Sequence, residues 1–189
     1  MIPMSPRYSL LILLAVLVAS CNPSIQFEEP MPPSRWNLSN IPKVFRGEIR
    51  DGNEVWFIGK DTVRIERRVD GELEGEQTLV NGEDFLLRKM AGHLVVNQPV
   101  PETGHWEIRL FRKQGDEMVM GEFEDDDPVL VRLATLLEKA PLKKKSPGTP
   151  GYKYTLLSPS SKEFKAMLKE RLYEEGDAVP LPRGEVITP

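Results

Sequence analysis

The side chain best suited to covalent chemistry is a thiol, and the chain has a single one, Cys21. One cysteine closes no internal disulfide, so a lone thiol at the end of an apolar run asks for its own explanation. Other candidates for chemistry are sparse. His93 and His105 each stand beside a turn signal, with no HxH, HExxH or cysteine partner in the sequence. A zinc site needs about three or four convergent N, S or O ligands, so the pair reads as surface or hydrogen-bonded histidines. Glu122, Glu124, Asp125, Asp126 and Asp127 form the one dense carboxylate run. Hard cations such as Ca²⁺ want about six to eight oxygens, usually from a loop with a glycine bend, and the EF-hand spacing is absent. The run reads as a solvated acidic turn that starts a helix. Lys143, Lys144 and Lys145 read as a hydrated loop, with lipid headgroups as the functional alternative. No GxSxG, P-loop or dinucleotide GxGxxG follows Cys21. No metal or cofactor is therefore expected, and the chain does not read as an enzyme.

Cys21 ends an apolar stretch. Residues 8–19, Tyr-Ser-Leu-Leu-Ile-Leu-Leu-Ala-Val-Leu-Val-Ala, are too few to cross a bilayer, which takes about 20. They fit the apolar centre of a secretory signal with Arg7 ahead of it. The run Val18-Ala19-Ser20-Cys21, preceded by Leu17, resembles the lipobox of bacterial lipoproteins. That resemblance covers the first 21 residues alone. It implies a signal peptide over 1–20, cleavage between Ser20 and Cys21, and a diacylglyceryl group on the Cys21 sulfur. The freed amine is commonly acylated as well. Two or three chains anchor stably where one binds only marginally. Asn22 follows the cysteine. An Asp there retains enteric lipoproteins at the inner membrane, so the resemblance implies the outer membrane of the cell envelope.

Composition limits the partners. The formal net charge of the 189 residues is −4, and losing Arg7 with the signal makes it more negative. A broad nucleic-acid footprint needs clustered Lys and Arg, so nucleic acid is not an expected partner. The same balance gives no general attraction to an anionic bilayer, which leaves lipid or a protein partner to hold the chain there.

The elements that must carry any site follow from turns and alternation. Residues 21–42 read as a proline-rich tether, with Pro30, Pro32, Pro33 and Pro42 favouring extended backbone. Trp36, Leu38 and Ile41 are expected to dock its end. Asp51-Gly52-Asn53, Asp70-Gly71, Asn81-Gly82 and Gln114-Gly115-Asp116 then separate short apolar runs. Asp-Gly and Asn-Gly supply the positive φ of tight hairpins. Val63, Ile65 and Val69 alternate with Arg64, Glu66 and Arg68, and Trp106, Ile108 and Leu110 alternate with Glu107 and Arg109. The prediction is a mainly β domain over 43–158, an antiparallel meander of about seven or eight strands forming a small barrel or bent sheet. A short helix is expected near 129–139 and a loop from Lys143 to Gly151. A strand is expected over 152–157. An amphipathic helix over 159–175 packs on the sheet, with Ser160 and Glu163 as a capping box and Phe164, Met167, Leu168 and Leu172 on one face. Residues 176–189 are expected to be irregular.

Three functions suit that outline. The first is a lipid-anchored, non-enzymatic domain that binds another envelope component. The second is a carrier of an apolar ligand, since a meander with a C-terminal helix is similar to the lipocalins. Their G-x-W is absent, because Ser34-Arg35 precede Trp36. The third is a hydrolase, which requires carboxylates or histidines gathered in a cleft.

Overall fold

The computed structural model describes residues 25–146 and 153–181. The described chain is mainly β, with thirteen strands and two α-helices. The strands are β1 (Ile25–Phe27), β2 (Gly47–Asp51), β3 (Glu54–Ile58), β4 (Thr62–Val69), β5 (Glu72–Val80), β6 (Leu86–Met90), β7 (His93–Val100), β8 (His105–Gln114), β9 (Glu117–Glu122), β10 (Leu142–Lys145), β11 (Lys153–Leu157), β12 (Glu174–Glu175) and β13 (Val179–Pro180). Helix α1 (Asp127–Leu136) lies between β9 and β10, and α2 (Ser161–Lys169) follows β11.

Each expected Gly-containing turn joins or ends strands, and the ladders follow from them. Asp70 and Gly71 both take positive φ between β4 and β5, as a tight hairpin requires. The four strands β2-β3-β4-β5 make one antiparallel sheet. The second sheet has nine strands. Its main path is β10-β11-β1-β8-β7-β6, while β9 pairs with β8 and carries β12 and β13. It is mixed, because β1 runs parallel to β11 and antiparallel to β8.

Alternation along β7 divides the apolar residues between two cores. Val95 joins Ile25, Phe27, Met31, Ile108, Leu110, Phe123, Leu133, Phe164, Met167 and Leu172, so both helices cover one face of the large sheet. Leu94 and Val96 point the other way, into a cluster with Ile49, Ile58, Leu87 and Met118, and this core joins the two sheets. Phe27 is fully buried, its ring 5.2 Å from that of Phe123 and 6.0 Å from that of Phe164.

Several expectations are corrected. Thirteen strands replace seven or eight, and the sheets do not close into a barrel: they stack face to face while the helices take the remaining face. The hairpin-rich run supplies β2 to β9. Four further strands fall where a tether (β1), a loop (β10), a helix (β12) and an irregular tail (β13) were expected. The described part of the presumed tether is no free spacer. Ile25, Gln26, Phe27, Met31 and Ile41 are buried: Ile25, Phe27 and Met31 join the core under the helices, Ile41 joins the core between the sheets, and Gln26 Oε1 accepts the Thr103 hydroxyl at 2.7 Å. Asn97, itself buried, receives the Met31 N–H and donates to the Met31 carbonyl at 3.0 Å, standing in for a strand partner. Arg88 donates to the carbonyls of Pro30 and Pro32 and to Asn37. Leu38 and Ile41 dock, whereas Trp36 is 94% exposed.

Helix α1 spans Asp127–Leu136 rather than 129–139, and α2 stops at Lys169. The capping box of Ser160 and Glu163 is present, and Phe164, Met167, Leu168 and Leu172 are buried. Arg171 takes φ +52 just past the helix, and the left-handed turn sends Leu172 and Tyr173 into the core.

Phe27 and Trp36 separate a core strand from a spacer. Phe27→Ala should cost about 3–5 kcal/mol of unfolding free energy, since it removes a fully buried ring. Trp36→Ala should stay within about 0.5 kcal/mol. Urea titration of the two variants checks both values, and a Phe27 variant as stable as wild type would contradict the fold described.

Candidate functional site

A partly buried polar network gathers around His93, the first residue of β7. The turn before it places Ala91 at φ +49 and Gly92 at φ +84. An alanine in that region is strained, and His93 Nδ1 holds the turn by bonding the Ala91 carbonyl at 3.1 Å. A ring nitrogen facing a carbonyl must carry the proton, so Nε2 of the neutral ring is bare. It lies 2.9 Å from the Tyr173 hydroxyl. That hydroxyl is also 3.2 Å from Glu175 Oε1, which receives Arg112 Nη2 at 2.9 Å.

Tyr173 has one proton for two acceptors. With the ring neutral, the proton goes to His93, and Arg112 alone satisfies Glu175. With the ring charged, Nε2–H donates to the Tyr173 oxygen, and the phenol proton passes to Glu175. Burial pushes His93 below its ordinary 6.5, and the Arg112 cation works in the same direction. Burial and the Glu175 charge push Tyr173 upward. Burial works against the Glu175 anion, but the hydrogen bond and charge of Arg112 outweigh it and hold the carboxyl low. The network therefore rests with a neutral imidazole and an intact carboxylate.

Position is enforced by packing. The Tyr173 ring lies so close over β9 that a Cβ on Gly121 would stand 2.6 Å from ring carbon Cδ2. Beside His93 opens a surface hollow of about 400 Å³, lined also by Val44, Phe45, Lys89 and Lys113. Both ring nitrogens of His93 already have partners, so the imidazole acts as a structural proton holder.

The remaining candidates are dispersed. His105 opens β8, and its ring meets Tyr154 edge-on at 5.8 Å. Val100 pairs with His105 while Leu94 pairs with Phe111, so the two histidines lie at opposite ends of the β7–β8 ladder. The acidic run is divided rather than convergent. Glu122 pairs with Arg109 at 3.0 Å. Burial raises Glu124, and Glu174 adds to the shift. Asp126 starts α1 without a side-chain cap, Asp127 lies in its first turn, and Pro128 follows. Asp125 departs from the solvated turn that was expected. Its side chain is 2% exposed and accepts Lys143 Nζ at 2.5 and 2.7 Å and the Thr155 hydroxyl at 2.7 Å. Among the described residues no group of three or more His, Cys, Asp or Glu side chains is arranged for a metal ion. Lys143, Lys144 and Lys145 form edge strand β10 instead of a loop. Cys21 and Ser20 lie outside the described residues.

No protein-family model, curated protein or solved structure matches the chain. The functional reading therefore rests on residues and geometry.

The sequence offered no sign of Tyr173, Glu175, Arg112 or Gly121. Tyr173 and Glu175 fell inside an expected helix, and Tyr173 lies eighty positions from the histidine it meets.

The depressed His93 gives a signed prediction. The unfolded chain takes up that proton more readily than the folded one, so acid favours unfolding as pH falls through and below about 6.5. Wild type should lose stability between about pH 7.5 and 5.5 more steeply than His93→Gln. Equal slopes in denaturant titrations at the two pH values would refute the burial argument.

Proposed function

We propose that the chain is a lipid-anchored cell-envelope protein, held at the outer membrane through Cys21, whose β-rich domain engages another envelope component without catalysing a reaction. The anchoring half rests on the apolar run that ends at Val18-Ala19-Ser20-Cys21 and on the uniqueness of the thiol. One observation carries the binding half. Trp36 is 94% exposed on a segment that is otherwise fastened down. Arg88 grips Pro30, Pro32 and Asn37 around it, Ser161 donates to the Pro33 carbonyl at 2.7 Å, and the Leu38 N–H donates to the Leu87 carbonyl at 2.7 Å. An indole on a fixed backbone loses little entropy when a partner covers it, which is the usual character of a binding hot spot.

A carrier of apolar ligands finds no comparable support. The sheets do not close, and the hollows of about 400 and 440 Å³ are open surface features. Nor do the histidines and carboxylates among the described residues converge on a reacting position.

Two experiments test the two halves. In cells fed labelled fatty acid, wild type should incorporate label, and Cys21→Ala should incorporate none and keep its signal peptide. Label retained by that variant would remove the anchor. A photo-crosslinking residue at position 36 should give a discrete envelope adduct, while the same residue at exposed Leu73 should not. Identical adduct patterns from both positions would remove the binding role of Trp36.

A further inference from the structure

The span between the anchor and the fold is short. Cys21 and Ile25 are separated by residues 22–24, so even fully extended they lie within about 14 Å. A spacer reaching to residue 42 would have allowed about 70 Å. Because Ile25 is buried between β8 and β11, an acylated Cys21 holds the whole domain against the bilayer rather than beside it.

The start of β1 selects what meets the surface. β1 and β11 are parallel, with Ile25 paired to Thr155, so the chain enters the sheet at the end where β11 begins with Lys153. On the outer side of β11 the register places Lys145 against Lys153 and Lys144 against Tyr154. All of β10 is exposed, as is Lys153. Lys143 is neutralised by Asp125, but Lys144, Lys145 and Lys153 form no ion pair among the described residues. Three exposed lysines thus stand beside the entry point of β1, Lys144 and Lys145 on the edge strand β10 and Lys153 on its neighbour β11. Among the described residues only Lys144 feels a nearby carboxylate, that of Glu28, and Lys145 and Lys153 carry the excess positive charge.

From this geometry we infer that the β10–β11 edge of the domain lies on anionic phospholipid headgroups of the membrane that holds the Cys21 acyl chains. The inference rests on the proposed lipidation. The formal net charge of −4 gives the chain no general attraction to an anionic surface, so the lysine edge beside the anchor also sets orientation. With the anchor this close, the lysines sit within a few Debye lengths of the surface, where each adds attraction.

The test uses the full lipidated protein purified in detergent and reconstituted into vesicles of phosphatidylcholine with or without phosphatidylglycerol. Flotation reports anchoring, and lysine acetylation read by mass spectrometry reports contact. In vesicles containing phosphatidylglycerol, Lys144, Lys145 and Lys153 should be acetylated about fivefold more slowly than in detergent, while Lys60 and Lys113 keep their rates. The protection should fade in high salt and in pure phosphatidylcholine. Protein that floats but shows unchanged acetylation at the three lysines would overturn the orientation while leaving the anchor intact. Protein that does not float would overturn the lipidation, and the orientation with it.

Discussion

The insertion of three residues, Ile25 to Phe27, between β11 and β8 is the constraint on which the large sheet depends. The β10–β11 hairpin enters the ladder through β1, parallel on one side and antiparallel on the other. The same strand places Phe27 among Phe123 and Phe164, so it ties the helical layer to the sheet as well. Buried aromatic contacts of this kind dominate core energetics, and here they come from the first described strand.

A buried polar layer fixes what the apolar core leaves free. Asn97 meets the Met31 backbone, and Arg88 collects the carbonyls of Pro30 and Pro32. Burial depresses the pKa of this guanidinium, although Glu29 partly restores it. On the outer face of the four-stranded sheet, buried Glu66 is bracketed by Arg64 at 2.8 Å and Arg68 at 2.5 Å, with Arg64 stacked 4.3 Å from the centre of the Phe57 ring. Desolvation offsets much of the gain from such pairs, but removing one partner alone leaves a buried charge uncompensated and is strongly destabilising. They stiffen the sheet without offering a reactive group.

Local pattern made the hairpins legible, because each depends on a few adjacent residues. Asp70-Gly71 and Gln114-Gly115-Asp116 specify their turns wherever they occur, and the alternation of Trp106, Ile108 and Leu110 matches the face they bury. The α2 capping box was equally readable, since Ser160 and Glu163 satisfy each other's backbone within three residues. Strands set by distant partners were not readable. Ile25-Gln26-Phe27 is too short to show a period, and prolines downstream gave it the look of a linker. Lys143–Lys145 carries no apolar alternation because β10 is an exposed edge, where lysines also discourage further strand pairing. The His93 network joins β7, β8 and the segment after α2, so no spacing along the chain could announce it.

The first described residues are core strand rather than spacer, so under the proposed lipidation of Cys21 the domain would sit directly at the membrane. Hydrogen–deuterium exchange across residues 25–33 of the mature protein tests that claim most directly. Amides there should exchange as slowly as those of β7 and β8, because they share one cooperative core. Complete exchange within seconds, as in a free proline-rich spacer, would contradict the account.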